Sequence, residues 1–258
     1  MNDYPPGSST TPAGPPQQPA PAQQTVHVSS PQSAPYVTYA IIGVTVLVYV
    51  LQLASQTLIQ ADLPVAVFAK ANDLIREGQL WRLLTPALVH GSIMHIAFNM
   101  YALLSFGTGL ERYFGHGRFL LLYLLGAFAG NVASFLLTSG YSVGASTAVF
   151  GVVGAEGVFL YQNRKVFAGQ FRNAIGNIIF IVAINLFLGL QPGIDNWGHI
   201  GGLVGGLMFT SFAGPLWELE GIYPAYQLVD RRPVREVMIG AALVVLIFGG
   251  LAMWGMVR

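Results

Sequence analysis

Seven long stretches of mostly apolar residues recur along the chain, at 36–56, 92–111, 118–138, 145–162, 174–191, 197–214 and 236–256. A helix needs about 20 such residues to cross the hydrocarbon core of a bilayer. Only 9% of the 258 residues are charged and 53% are hydrophobic, whereas soluble domains carry about a quarter charged residues. The pattern predicts an all-α polytopic membrane protein. Several of the stretches are short and rich in glycine, and small residues let helices approach closely in lipid.

The composition also excludes some chemistry. With no cysteine, disulfides, thiol catalysis and zinc–thiolate sites are ruled out. A net charge of +1 lacks the basic stripe that a nucleic-acid partner requires. Residues 1–35 hold nine of the fifteen prolines, no Lys or Arg, and no apolar run. This tail is expected to be disordered. It lacks the positive start and early apolar core of a signal peptide.

Orientation follows from the basic residues. With seven spans, eight of them (Arg112, Arg118, Arg164, Lys165, Arg172, Arg231, Arg232 and Arg235) fall on the side of the N-terminus, and four (Lys70, Arg76, Arg82 and Arg258) on the other. The N-terminus is therefore expected to be cytoplasmic, as in a bacterial inner-membrane protein. The long first connection, 57–91, reads as amphipathic, with Trp81 and Arg82 as interface anchors.

Polar residues inside spans are costly and mark function by default. The same count of spans puts three groups of them at one depth, in the outer leaflet. Ser146 opens the fourth span, His199 lies in the first turn of the sixth, and His95 and Asn99 lie in the first two turns of the second. His95 and Asn99 are four residues apart and share a helix face, whereas His90 lies off that face. Gly198, Gly202 and Gly206 repeat every four residues, with Gly201 and Gly205 beside them. The fourth span answers with Gly144, Gly151, Gly154 and Gly157. Close packing of these two spans would bring His199 to Ser146.

A serine hydroxyl needs a base within hydrogen-bond reach to act as a nucleophile. His199 can supply it. The oxyanion formed on attack needs positioned donors, which His95, Asn99 and the backbone N–H of Ser146 can provide. Asp195 sits at a helix entrance and is expected to be solvated, so the pair is read as a dyad. Glu156 lies ten residues past Ser146, ~15 Å along a helix, too far for a triad. It is expected to be buried against the bundle. Glu111 and Arg112 are expected to fix a loop, and Asn131, Asn177 and Asn185 to bond between helices.

Each of these residues has a plainer reading. A serine among glycines is usually packing, and a histidine near a span end is usually interfacial. It is the coincidence of nucleophile, base and donors in one leaflet that favours catalysis. A transporter would show inverted repeats and midplane sites, and neither is visible. A zinc metalloprotease would need His-Glu-x-x-His, which is absent. An aspartyl protease would need two acids within spans, and all five aspartates fall outside them.

Over residues 36–214 the chain resembles the rhomboid family of intramembrane serine proteases. The resemblance rests on "WR" in the first loop, "HGSIMHIAFN", "GLERYFG" after the second span, "GAS" before the fourth and "GHIGGLVGG" in the sixth. It implies a rhomboid-like six-helix bundle over 36–214, with a loop and a seventh, C-terminal transmembrane helix in 215–258. It implies Ser146 as nucleophile, His199 as general base, His95 and Asn99 as oxyanion-hole donors, and Phe150 packed on the catalytic histidine, with Gly144, Trp81 and Arg82 in supporting places. It also implies transmembrane protein substrates cleaved near the outer leaflet after a small residue, with no cofactor or metal. A pseudoprotease would be expected to lack Ser146 or His199. The family usually has glycine after the nucleophile where this chain has Thr147, whose added bulk is expected to crowd the cleft.

Overall fold

The computed structural model describes residues 27–29, 33–223 and 225–258, and each apolar stretch forms a helix. Helix α1 (Tyr36–Ile59) leads into a folded connection made of α2 (Leu63–Phe68), α3 (Asn72–Arg76) and 3-10 turns at Leu80–Leu83 and Thr85–Leu88. Helix α4 (Ile93–Ala102) runs through a π-helical turn at Leu103–Gly107 into α5 (Thr108–Phe114). Then come α6 (His116–Leu137), α7 (Ser146–Gln162), α8 (Ala168–Leu188), α9 (Asn196–Ala213) and α10 (Val234–Met256). Among the described residues, five of these segments are long and apolar enough to cross a membrane: α1, the α4–α5 rod, α6, α8 and α10. Helices α7 and α9 have 17 and 18 residues and reach ~26 Å, slightly less than the ~30 Å hydrocarbon core. The chain is an integral, multi-pass membrane protein built as a helical bundle.

Burial sorts the helices into layers. In the most apolar window of α6, 61% of residues are buried, against 17% in α1 and 6% in α8. Helix α6 therefore lies inside the bundle, and α8 stands at its edge with most of its surface available to lipid. Phe119, Leu122, Val132, Phe135, Val152 and Phe209 are core residues on α6, α7 and α9. Glycine permits this packing. A Cβ on Gly202 of α9 would fall on the Thr147 carbonyl of α7, and one on Gly206 would fall on the Gly151 carbonyl. On its other side α9 meets α6, where Gly201 lies against Ala129 and Ala133. The glycine periodicity of the sixth span thus serves two neighbours. In lipid, contact of this kind is the main source of helix association.

Several polar residues have duties the sequence did not suggest. Glu111 is fully buried, and its carboxylate accepts from Val37 N (2.9 Å), Thr38 N (2.7 Å) and Thr38 Oγ1 (2.6 Å). It satisfies orphan donors at the start of α1, and its Oε1 also lies 2.6 Å from His116 Nδ1, so it braces the Gly115 turn as expected while capping α1 as well. Arg112 beside it is exposed. Arg82 is only 3% exposed, so it is not an interface anchor. Its guanidinium donates to Ala69 O (2.7 Å), Ala66 O (2.7 Å) and Gln79 Oε1 (2.8 Å), closing the C-terminal end of α2. Trp81 remains about half exposed, with its indole N–H on Val67 O. Of the three asparagines expected to bond between helices, Asn185 donates within its own helix and Asn177 faces outward. Asn131 is buried with its side-chain nitrogen unpartnered among the described residues.

A small sheet follows α9. Strands β2 (Trp217–Ile222) and β3 (Ala225–Asp230) form an antiparallel hairpin, and β1 (His27–Ser29) pairs in parallel with β3, giving the order β1-β3-β2. The rest of the 1–35 tail, apart from 33–35, lies outside the described residues. At 27–29 the expectation of disorder is corrected. The hairpin leaves one edge of β3 unpaired, and the tail residues before α1 add to it. The connection 215–233, expected as a loop, carries this hairpin instead.

Candidate active site

Ser146 is the first residue of α7, with Ala145 as its N-cap. Three contacts hold the approach to it. Gly144 N donates to Pro86 O (2.9 Å), Ala145 N donates to His90 Nε2 (3.3 Å), and Ser142 pairs with Lys70 as an antiparallel bridge. Gly144 has φ +121°, and a Cβ there would lie 2.6 Å from His95 Nε2. Glycine is required both by the backbone region and by the imidazole packed against it.

His199 lies in the first turn of α9, and its Nε2 is 2.9 Å from Ser146 Oγ. Its ring stacks on Phe150, one turn after Ser146, at 4.4 Å between centroids and an 8° interplanar angle. His199 Nδ1 has no hydrogen-bond partner among the described residues. The Asp195 carboxylate is occupied elsewhere, by Thr138 Oγ1 (2.8 Å), Ser142 Oγ (2.7 Å), Ser134 Oγ and Gly198 N (3.1 Å). Asp195 is therefore largely enclosed by protein donors, contrary to the expectation that it is solvated. None of its four hydrogen bonds is to the imidazole.

Across from Ser146, α4 begins at Ser92, whose hydroxyl caps it by accepting from His95 N (3.2 Å). This sets His95 and Asn99 on the face that looks toward Gly144. Asn99 Nδ2 donates to His95 O (3.0 Å). His95, Asn99, Ser146, Phe150 and His199 line one cavity of about 980 Å³. Ile181, Val182 and Leu188 of α8 supply an apolar wall. The arrangement combines a hydroxyl bonded to an imidazole, a helix N-terminus with unpaired N–H groups, and side-chain donors opposite. It is suited to nucleophilic attack on a carbonyl.

Three features escaped sequence reasoning. His90, set aside for its spacing, is buried behind the site, with its ring edge-on to His95 at 5.1 Å. Burial, aided by His95, pushes its imidazole down to about 3, so it stays neutral and accepts the Ala145 N–H. Gln52 of α1 brackets its backbone with two 3.0 Å bonds. Thr147 does not crowd the cleft. It is 3% exposed, and its side chain fills the groove between Gly130 of α6 and Gly198 of α9, because successive residues of a helix point about 100° apart. Glu156 is only partly buried, with one carboxylate oxygen enclosed and unpartnered; it does not line the cavity.

Comparison with known proteins supplies an independent observation. The family model described as "Rhomboid domain" matches residues 77–215, more than half of the chain. The chain is 44% identical over 181 residues to "Rhomboid protease GluP" of Bacillus subtilis (strain 168), covering 70% of this chain and 35% of that protein. It is 35% identical over 159 residues to "RHOMBOID-like protein 9, chloroplastic" of Arabidopsis thaliana, covering 61% and 37%. It is 40% identical over 138 residues to "RHOMBOID-like protein 4" of the same plant, covering 53% and 35%. The aligned part spans little more than a third of each of these relatives.

Proposed function

The chain belongs to the rhomboid family, and from that premise we propose that it is an intramembrane serine endopeptidase acting on transmembrane segments of other membrane proteins. Ser146 is the nucleophile and His199 the general base. The observation that carries this reading is the 2.9 Å contact between Ser146 Oγ and His199 Nε2 in a cavity that also holds His95 and Asn99.

In the first step His199 Nε2 removes the hydroxyl proton as Ser146 Oγ bonds to the scissile carbonyl carbon. The carbonyl oxygen becomes an oxyanion, stabilised by the Ser146 N–H, Asn99 Nδ2 and His95. Donors at such a site are worth about 10²–10³ in rate each. The imidazolium then returns its proton to the leaving amine, and the acyl-enzyme forms. Water, deprotonated by the same imidazole, hydrolyses the ester and restores the hydroxyl. The stack on Phe150 keeps the ring in plane through both transfers. With no hydrogen-bond partner on His199 Nδ1 among the described residues, the pair works as a dyad.

The basic-residue bias supports a cytoplasmic N-terminus, which puts Ser146 at outer-leaflet depth. A substrate helix unwinds there and enters past α4 and α8, whose side chains line the cavity. The test is cleavage of a reporter transmembrane substrate by purified protein in liposomes. Wild type should cut, while Ser146→Ala and His199→Ala should not. Equal background in all three across several substrates would contradict the assignment.

A further inference from the structure

His199 has no side-chain partner other than Ser146 and its ring stack, because its Nδ1 is unpartnered among the described residues. The place of its imidazole is therefore set through its backbone, in the first turn of α9. That turn is capped by Asp195, which accepts from Gly198 N (3.1 Å) and whose carbonyl accepts from His199 N (3.1 Å). The other donors to the same carboxylate belong to the segments leading to Ser146. They are Ser134 and Thr138 at the end of α6 and Ser142 in the loop four residues before the nucleophile. Two carboxylate oxygens offer about four acceptor positions, and four donors fill them. Although Asp195 lines the cavity, it has no free lone pair for a substrate.

Lys70 grips the same residues from the other side. It is fully buried in the first connection, and its Nζ donates to Thr138 O (3.0 Å) and Ser134 O (3.4 Å). Its backbone exchanges two hydrogen bonds with Ser142, at 2.9 and 3.1 Å. Burial pushes its ammonium down to about 8, with the charge of Asp195 working the other way, so it remains a cation at neutral pH. The carboxylate thus gathers hydroxyls and the ammonium gathers carbonyls of one short segment. Lys70 and Asp195 make no direct contact; each holds the same segment through its own hydrogen bonds, and buried polar groups of this kind can serve to specify a single arrangement. Here the arrangement so specified carries both reacting side chains.

We propose that Asp195, opposed by Lys70, is a positioning residue that sets the separation of Ser146 and His199 by tying the nucleophile's loop, the end of α6 and the first turn of α9 to one carboxylate. The inference rests on the reading of Ser146 and His199 as the catalytic pair.

Asparagine caps a helix about as well as aspartate, so Asp195→Asn keeps the cap while removing the charge that gathers three hydroxyls. Cleavage of the reporter substrate would be measured in liposomes, with active sites counted by a fluorophosphonate that labels the reactive serine. For Asp195→Asn, kcat per labelled site should fall by about 10- to 100-fold, the scale of an ångström-sized misplacement, with KM within about twofold and the melting temperature near wild type. Lys70→Met and Ser142→Ala should lower kcat per site in the same direction. A role in folding alone would reduce the number of labelled sites and leave kcat per site unchanged, and that result would overturn the inference. If Asp195→Asn does not fold, Ser142→Ala decides by the same criterion. A wild type that cleaves no better than Ser146→Ala is a distinct failure: it removes the protease reading, and this inference with it.

Discussion

Replacing Gly202 with alanine tests the link between helix packing and chemistry. The new Cβ would fall on the Thr147 carbonyl, which is backbone and cannot rotate away. An ordinary carbon–oxygen contact is about 3.3 Å or longer, so α7 and α9 would have to part by roughly 1 Å or more at this crossing. Overpacking of this kind costs typically 1–3 kcal/mol of stability. The effect on activity should be larger than stability alone implies. Gly202 lies three residues after His199, and Thr147 directly follows Ser146, so the forced separation acts on the 2.9 Å contact itself. A shift of about 1 Å at a reacting pair costs on the order of 100-fold, equivalent to about 2.7 kcal/mol in the barrier. The assay is kcat on the reporter substrate with thermal unfolding in the same detergent. Gly249→Ala is the control, since nothing lies within 4 Å of a Cβ there. Wild-type kcat and melting temperature in Gly202→Ala would refute the argument.

Two further outcomes follow from residues behind the cleft. Thr147→Gly should leave kcat within about threefold of wild type, because the side chain faces α6 and α9, but should lower stability by about 1 kcal/mol or more as the groove empties; a large rise in kcat would mean that Thr147 does crowd the cleft. His90 is held neutral down to about 3, while an unfolded histidine titrates near 6.5, so the unfolded state binds more protons between those values and stability rises with pH across that window. Relative to His90→Gln, wild type should lose on the order of 2 kcal/mol between pH 7 and pH 5, measured by chemical unfolding in detergent; parallel pH profiles for the two proteins would contradict this.

Much of the fold was legible because its signals are local. Apolar runs of membrane length mark the helices, and Asp195 stands at a helix entrance, as its place in the sequence implies. The four-residue glycine repeat around His199 anticipates its approach to α7, and the family resemblance implies the stack of Phe150 on its ring. What escaped depends on contacts distant in sequence. Asp195 looked solvated because its hydroxyl donors lie 53 to 61 residues away. Arg82 looked like an interface anchor because the fold of the 57–91 connection, which leaves α2 carbonyls unpaired, could not be read from composition. His90 was dismissed on helical spacing, but it precedes α4 and obeys no helical face. The strand at 27–29 exists only because a hairpin nearly 200 residues later leaves an edge open.

The most direct test of the catalytic pair is covalent capture. Purified wild type, Ser146→Ala and His199→Ala would be treated with a fluorophosphonate in detergent and examined by intact and peptide mass spectrometry. The account predicts a single adduct on Ser146 in wild type, none in Ser146→Ala, and labelling slowed by at least about 100-fold in His199→Ala. An adduct on another residue, or labelling of Ser146 at an unchanged rate without His199, would contradict it.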